Sequence, residues 1–232
     1  DKNVKNGNLA EIDTPQELKL YSIWNFPKLS EDQLRYPGQL PEALIENVLY
    51  YWTEPFQVVW DPFAGSGVTG RVARRMMRRY QLSDLAPIDD SIRQHDLLNG
   101  LPDWLVKPDL IFLDPPYWKQ KTEQYVDHPS NLAAMDLDQF YRAIRRIFES
   151  FCKLKGTKVA IIVQDTQWRN DRQTEPHAFR IWQIADSLGW RFIERVICPY
   201  SNVQYTPQMQ EAAKEARIPL VTHRDLIVFE VV

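Results

Sequence analysis

Short apolar runs alternate with amphipathic segments of helical period along most of this chain. Runs of this kind, separated by helices, are typical of the buried strands of a parallel sheet. Strands are predicted at 56–60, 80–84, 93–96, 109–113, 158–165, 191–200 and 225–232. Helices are predicted at 36–52 after an initial Pro/Gly turn, and at 68–80, 137–154, 177–190 and 208–216. The pattern predicts an α/β fold with a doubly wound, mostly parallel, seven-stranded sheet. The last two strands lack a long crossover helix, so we expect an antiparallel strand at the C-terminal edge.

The length and composition suit one large α/β domain, since the chain has 232 residues and 44% of them are hydrophobic. We predict an N-terminal arm at 1–22, which is polar, and a single domain at 23–232. The net charge of −3 argues against a surface coated with nucleic acid but is compatible with a local basic groove. Cys152 and Cys198 form no CxxC pair, and no metal site is predicted.

The chain starts without Met and contains neither a signal-like apolar segment nor an apolar run long enough for a membrane span. We therefore expect a cytoplasmic protein that is not secreted. We also expect the chain to be a trimmed form of a longer one.

A glycine-rich turn, DPFAGSGVTG at 61–70, lies between the first strand and the next helix. Gly65 and Gly67 allow a sharp turn and a close approach of a ligand to the backbone. With Gly70, they match the dinucleotide spacing G-x-G-x-x-G. The free N–H groups of the following helix favour a polar or negative group at this edge of the sheet.

Three acidic residues refine the expected ligand. Asp84 ends the second strand, seventeen residues after Gly67, and can accept hydrogen bonds from both ribose hydroxyls. The alternative is that it caps a helix at 87–92. Asp96 ends the third strand, where it can meet an adenine amino group or cap a turn. Asp61 would repel a phosphate but would pair with an ammonium group, so the charges suit S-adenosylmethionine.

A second motif, DPPYW at 114–118, ends the buried strand 109–113. Two prolines must stop strand pairing at once, so they create a stiff turn that carries a carboxylate and two aromatic rings. A rigid strand-ending loop with no chemical role is the structural alternative.

The two motifs together resemble the S-adenosylmethionine-dependent DNA amino-methyltransferases, which have a Rossmann-like fold and methylate adenine N6 or cytosine N4. YPGQLPEALIENVL resembles the methionine-side motif of that family, with Tyr36 in place of the usual His, and HRDLIVFEV resembles its closing strand. The resemblance covers about residues 24–232 in outline. The cofactor-binding residues it implies are Tyr36, Gln39, Asp61, Pro62, Phe63, Gly65, Gly67, Asp84 and Asp96.

The resemblance implies a catalytic turn made of Asp114, Pro115, Pro116 and Tyr117. The carboxylate of Asp114 and the carbonyl of Pro115 would accept hydrogen bonds from the exocyclic amine, which exposes its lone pair. Tyr117 would stack on a base extruded from double-stranded DNA. Trp118 is either a second ring wall or lid, or a packing residue. Within this family, the D-P-P form of the motif favours adenine as the target base.

Two loops are candidates for contact with the substrate, 119–136 and 201–224. The substrate-binding residues in and next to them are predicted to be Tyr117, Trp118, Lys119, Lys121, Asn202 and Gln204. The sequence offers no separate target-recognition domain. Recognition of a DNA site must then come from these loops, from a missing segment or from a partner subunit.

Several alternatives stay open at this point. They are a cytosine-N4 DNA methyltransferase, an RNA base methyltransferase and a catalytically silent subunit that binds nucleic acid or a partner. The role can be linked to restriction-modification or to regulation. A row of arginines, Arg71, Arg74, Arg75, Arg78 and Arg79, either follows a phosphate backbone or forms the solvent side of a helix.

Overall fold

The structure, a computed structural model, describes residues 12–27, 40–116, 118, 128–168, 173–200 and 205–232. The helices are Glu42–Trp52 (α1), Val68–Arg75 (α2), Leu137–Phe151 (α3), His177–Ser187 (α4) and Pro207–Ala216 (α5). The first strands are Val58–Asp61 (β1), Arg79–Asp84 (β2), Arg93–Gln94 (β3), Leu110–Leu113 (β4) and Lys158–Val163 (β5). The remaining strands are Thr166–Trp168 (β6), Gln173–Glu175 (β7), Arg191–Pro199 (β8) and His223–Glu230 (β9).

Seven of these strands form one sheet in the order β3-β2-β1-β4-β5-β9-β8. The pairs from β3 to β5 are parallel, whereas β9 pairs antiparallel with both β5 and β8. The predicted fold class is therefore confirmed. Within the antiparallel pair, β9 lies inside the sheet and β8 forms the edge.

Two hydrophobic cores cover the two faces of the sheet. Alternate strand residues point to opposite faces, so Ile111 packs with α3 and α4 while Phe112 packs with α1 and α2. One apolar face of α3, which includes Phe140, Ile144 and Phe148, is buried in the first core. A capping box at Asp136 starts this helix, because its carboxylate accepts from Gln139 N at 2.7 Å and Gln139 Oε1 accepts from Asp136 N at 3.1 Å.

The second helix is shorter than predicted, since α2 ends at Arg75 and β2 starts at Arg79. Met77 takes a left-handed conformation with φ of 62°. Arg78 then turns inward, where its guanidinium donates to carbonyls at the C-terminal end of α1, including Thr53 O at 2.8 Å. The row of arginines is thus not one solvent face, because Arg78 is buried and Arg75 pairs with two glutamates of α1.

Residues 12–27 lie against the domain. The side chain of Asn47 in α1 accepts from Lys19 N at 2.8 Å and donates to Glu17 O at 2.9 Å. Ile23 forms a parallel bridge to Ile197 of β8. This part of the chain is therefore held by backbone hydrogen bonds to both α1 and the edge strand.

Candidate active site

The glycine turn joins β1 to α2 at the carboxyl edge of the sheet. Gly65 and Gly67 both take positive φ angles, 48° and 70°, which glycine adopts without strain. Gly67 is the N-cap of α2 and provides no side chain to cap it. A Cβ at Gly65 would have only Phe63 O, at 3.9 Å, in contact. The space next to Gly65 is therefore not filled by a side chain.

Asp61, the last residue of β1, lies behind this turn with 3% of its surface exposed. Its carboxylate accepts from Phe63 N at 2.9 Å and from Thr69 Oγ1 at 2.6 Å, so it connects the two ends of the turn. Burial raises the pKa of Asp61 to about 7, the two hydrogen bonds oppose that rise, and the charges of Asp114 and Asp84 add to it. The site therefore concentrates negative charge at the ends of β1, β2 and β4.

Asp84, at the end of β2, is half-buried and accepts from Gly65 N at 2.9 Å and from Ala86 N at 3.0 Å. No helix forms at 87–92, so the helix-cap alternative for Asp84 is excluded. Asp96 caps a short 3-10 helix, Leu97–Asn99, and accepts from Ser130 Oγ at 2.7 Å. This cap corresponds to the alternative given for Asp96, and it leaves the proposed contact with adenine untested.

The Asp-Pro-Pro turn follows β4, which is the neighbour of β1 in the sheet. Asp114 and Pro116 are half-buried and Pro115 is buried. The charge of Asp114 contributes to the raised pKa of Asp61, after the larger effect of burial. The carboxylates that end β1 and β4 are therefore close enough to interact, and the two predicted motifs lie at one site.

Trp118 is 4% exposed, and its indole donates to Met135 O at 2.9 Å. Its ring packs 5.9 Å from that of His177, the first residue of α4. Nδ1 of His177 lies 2.8 Å from the hydroxyl of Tyr141, and Nε2 lies 3.0 Å from Oγ1 of Thr166. The burial and contacts of the indole favour the packing alternative for Trp118.

Sequence reasoning missed a group on the other side of Asp114. Gln164 follows β5, Tyr200 follows β8 and Arg224 lies near the start of β9, so the order of the sheet brings all three to the same edge. The hydroxyl of Tyr200 donates to Oε1 of Gln164. Its position could not single out Gln164, because the strand was predicted to run to residue 165, whereas β5 ends at Val163. Ligands of open α/β sheets bind at such strand ends.

Other predicted site residues lie outside the described residues. They are Tyr36, Gln39, Tyr117, Lys119, Lys121, Asn202 and Gln204. In the described parts of the two candidate loops, residues 132–134 form a 3-10 helix and residues 207–216 form α5. The described ranges contain no group of three or more His, Cys, Asp or Glu residues that could hold a metal ion. They also contain no helix that is long and apolar enough to cross a membrane.

The order and directions of the seven strands define a Rossmann-like α/β fold. TrmN from Thermus thermophilus, a solved structure, superposes with a TM-score of 0.52 at 15% identity, over 82% of this chain and 49% of that one. At this identity, the likeness shows the fold alone.

Sequence comparison supports the family resemblance. A model for the N6/N4 methyltransferase family, described as DNA methylase, matches residues 1–87, which include the glycine turn but end before the Asp-Pro-Pro turn. The DNA adenine methyltransferase YhdJ of Escherichia coli is 37% identical over 62 residues, which cover 25% of this chain and 21% of that protein. The type II methyltransferase M.BglII of Bacillus subtilis is 32% identical over 84 residues, which cover 35% of this chain and 23% of that protein.

These matches confirm the resemblance to the DNA amino-methyltransferase family over the N-terminal part of the chain. The chain spans less than a quarter of the length of the two curated relatives.

Proposed function

We propose that the protein transfers a methyl group from S-adenosylmethionine to the exocyclic amino group of a DNA base, with adenine N6 as the first candidate. One observation carries the proposal. The glycine turn after β1 and the Asp-Pro-Pro turn after β4 meet at one edge of the sheet, with the carboxylates of Asp61 and Asp114 close enough to interact. A cofactor turn and an amine-binding turn must be neighbours for a methyl group to pass between their ligands.

The residues of the glycine turn fit S-adenosylmethionine. Its sulfonium and ammonium groups are cationic, and the carboxylates of Asp61 and Asp84 create a negative environment that would repel a pyrophosphate. The open space in front of Gly65 admits a ligand close to the backbone. When bound, the cofactor supplies a methyl group attached to a positively charged sulfur.

The turn after β4 would make the amine nitrogen a better nucleophile. The lone pair of an exocyclic amine is delocalised into the base ring, so the nitrogen is a weak nucleophile. Hydrogen bonds from the amine to the carboxylate of Asp114 and to the carbonyl of Pro115 favour a pyramidal nitrogen with an exposed lone pair. Pro115 and Pro116 keep these acceptors in place, because proline restricts the backbone.

The base must leave the DNA stack to reach this turn, which lies at the end of a buried strand. We propose that residues 23–232 form the catalytic domain, that residues 1–22 form an arm, and that the loops 119–136 and 201–224 approach the DNA. Recognition of the target site would come from these loops, from a further segment or from a partner subunit. A role in restriction-modification is compatible with the likeness to M.BglII.

The test is transfer of a labelled methyl group from S-adenosylmethionine to unmethylated genomic DNA, followed by digestion to nucleosides and mass spectrometry. We expect N6-methyladenine. Asp114→Ala should reduce the rate by about a hundredfold or more, the range of a lost acid–base or orienting group, and should leave cofactor binding by calorimetry intact.

Asp138→Asn, a change at an exposed acid of α3, is the matched control and should keep full activity. N4-methylcytosine as the product would show that the target base is cytosine and not adenine. Methyl transfer to RNA but not to DNA would refute the proposal, and so would a fully active Asp114→Ala variant.

A further inference from the structure

Three side chains beyond Asp114, those of Gln164, Tyr200 and Arg224, form what we name the glutamine cluster. Strand register places them together, since Leu113 of β4 pairs with Ile161, Val163 pairs with Asp225, and Cys198 pairs with Arg224. Burial raises the pKa of Tyr200 to about 12, and the charge of nearby Asp114 adds to this rise. The cluster thus borders the Asp-Pro-Pro turn on the side opposite the glycine turn.

Hydrogen bonding fixes the orientation of the Gln164 amide. The guanidinium of Arg224 lies over the Tyr200 ring at 4.3 Å. The hydroxyl of Tyr200 donates its proton to Oε1 of Gln164. The amide oxygen is then occupied, and the amide nitrogen is the group left to donate to a ligand.

We propose that Gln164 selects the base, by donating a hydrogen bond from Nε2 to the ring nitrogen next to the amine-bearing carbon, with Tyr200 and Arg224 holding the amide in that orientation. This assignment rests on the proposed function. The ring nitrogen is N1 in adenine and N3 in cytosine, and in both bases it accepts hydrogen bonds.

The proposed pair of contacts recognises an amine next to a ring nitrogen that accepts hydrogen bonds. Asp114 accepts from an amine, and Gln164 donates to the adjacent ring nitrogen. Guanine and thymine present a carbonyl and a ring N–H at the corresponding positions, so both contacts would be mismatched. A glutamine with a free amide could rotate by 180° and accept from a ring N–H, and the hydroxyl of Tyr200 opposes that rotation. The cluster therefore explains selection of an amino base without a contact to neighbouring bases.

The experiment uses the target site mapped by modified-base sequencing in a host that expresses the protein. Duplexes carry either adenine or 1-deazaadenine at the target position, or cytosine and 3-deazacytosine if the mapped base is cytosine. For the wild type, we expect kcat/KM to fall by about tenfold with the deaza base, which corresponds to about 1.4 kcal/mol for one hydrogen bond.

In the Gln164→Leu variant, the preference for the natural base should shrink to about twofold or less. The variant has no amide to donate to the ring nitrogen, so removing that nitrogen from the base costs no hydrogen bond. Any intrinsic effect of the deaza base on reactivity is the same for both proteins and cancels in this comparison. Tyr200→Phe should also reduce the preference, since the amide can then rotate. Tyr80→Phe is the control: it removes an exposed hydroxyl from the start of β2, at the sheet edge opposite the Asp-Pro-Pro turn, and should keep the full preference.

Calorimetry with the cofactor checks that each variant is folded. If Gln164→Leu does not bind the cofactor, Gln164→Glu replaces it, because an ionised glutamate has a similar size and no proton to donate. A tenfold preference that persists without the Gln164 amide overturns the assignment. Equal kcat/KM values of the wild type for the natural and the deaza base would also overturn it. A wild type that methylates no DNA overturns the proposed function itself, so the two failures are distinguishable.

Discussion

Replacing Asp61 by asparagine tests the electrostatics of the site most directly. The carboxylate is almost fully buried and accepts hydrogen bonds from Phe63 N and Thr69 Oγ1. Asparagine has nearly the same shape, so its oxygen can accept from Phe63 N while its nitrogen donates to the hydroxyl oxygen of Thr69. The substitution therefore removes the charge and keeps the packing of the turn.

The size of the effect follows from the pKa of Asp61, which burial raises from its ordinary value of 3.8 to about 7. Below about pH 4, the carboxyl group is protonated in both the folded and the unfolded state and does not affect stability. Between about pH 4 and pH 7, the unfolded state ionises first, so the free energy of unfolding falls as the pH rises. The total loss is about 4 kcal/mol, and it levels off above pH 7. The asparagine side chain does not titrate, so the Asp61→Asn variant should lack this loss.

The assay is urea unfolding of the wild type and Asp61→Asn at several pH values from 5 to 8. At pH 5 the unfolded state is already ionised, so the variant should be more stable by about 2 kcal/mol, shifted by about 1 kcal/mol either way by one altered hydrogen bond. At pH 8 the difference should be about 4 kcal/mol, with the same shift. Other titrating groups are common to both proteins and cancel in the difference. A difference that stays constant from pH 5 to pH 8 would show that Asp61 ionises normally in the folded state, which would refute the reasoning.

Two further changes test the packing of α2 and of the turn that follows it. At Gly70, an added methyl group would lie 2.7 Å from Cδ1 of Leu82. The overpacking costs about 1–3 kcal/mol, which exceeds a gain in helix propensity of about 1 kcal/mol. Gly70→Ala should therefore lower the free energy of unfolding measured in urea. A more stable variant would show that Leu82 moves aside without cost. Arg78→Met should destabilise by about 3–5 kcal/mol in the same assay, because it leaves Asp13 and several carbonyls without their buried partner. The exposed Arg74→Met is the control at about 0.5 kcal/mol or less, and equal effects of the two changes would contradict the structural role of Arg78.

Much of the fold was predictable because its signals are local. Apolar periodicity located the seven strands of the sheet and the helices between them, although their ends shifted by a few residues. The hairpin of β6 and β7 was missed, because each of its strands has only three residues and the segment is polar. The predicted end of α2 was wrong, because the burial of Arg78 depends on carbonyls of α1 that lie far away in sequence.

The sequence by itself determined that Gly65, Gly67 and Asp114 follow their strands, because each motif is contiguous with the strand that it ends. Strands that run parallel in one sheet bring such turns to one edge, so the placement of both motifs followed from the pattern. Only the tertiary structure decided what surrounds them. The contact between Gln164 and Tyr200 joins residues 36 positions apart, and it exists because β9 lies between β5 and β8. Strand order of this kind depends on long-range packing, which no local spacing of residues encodes.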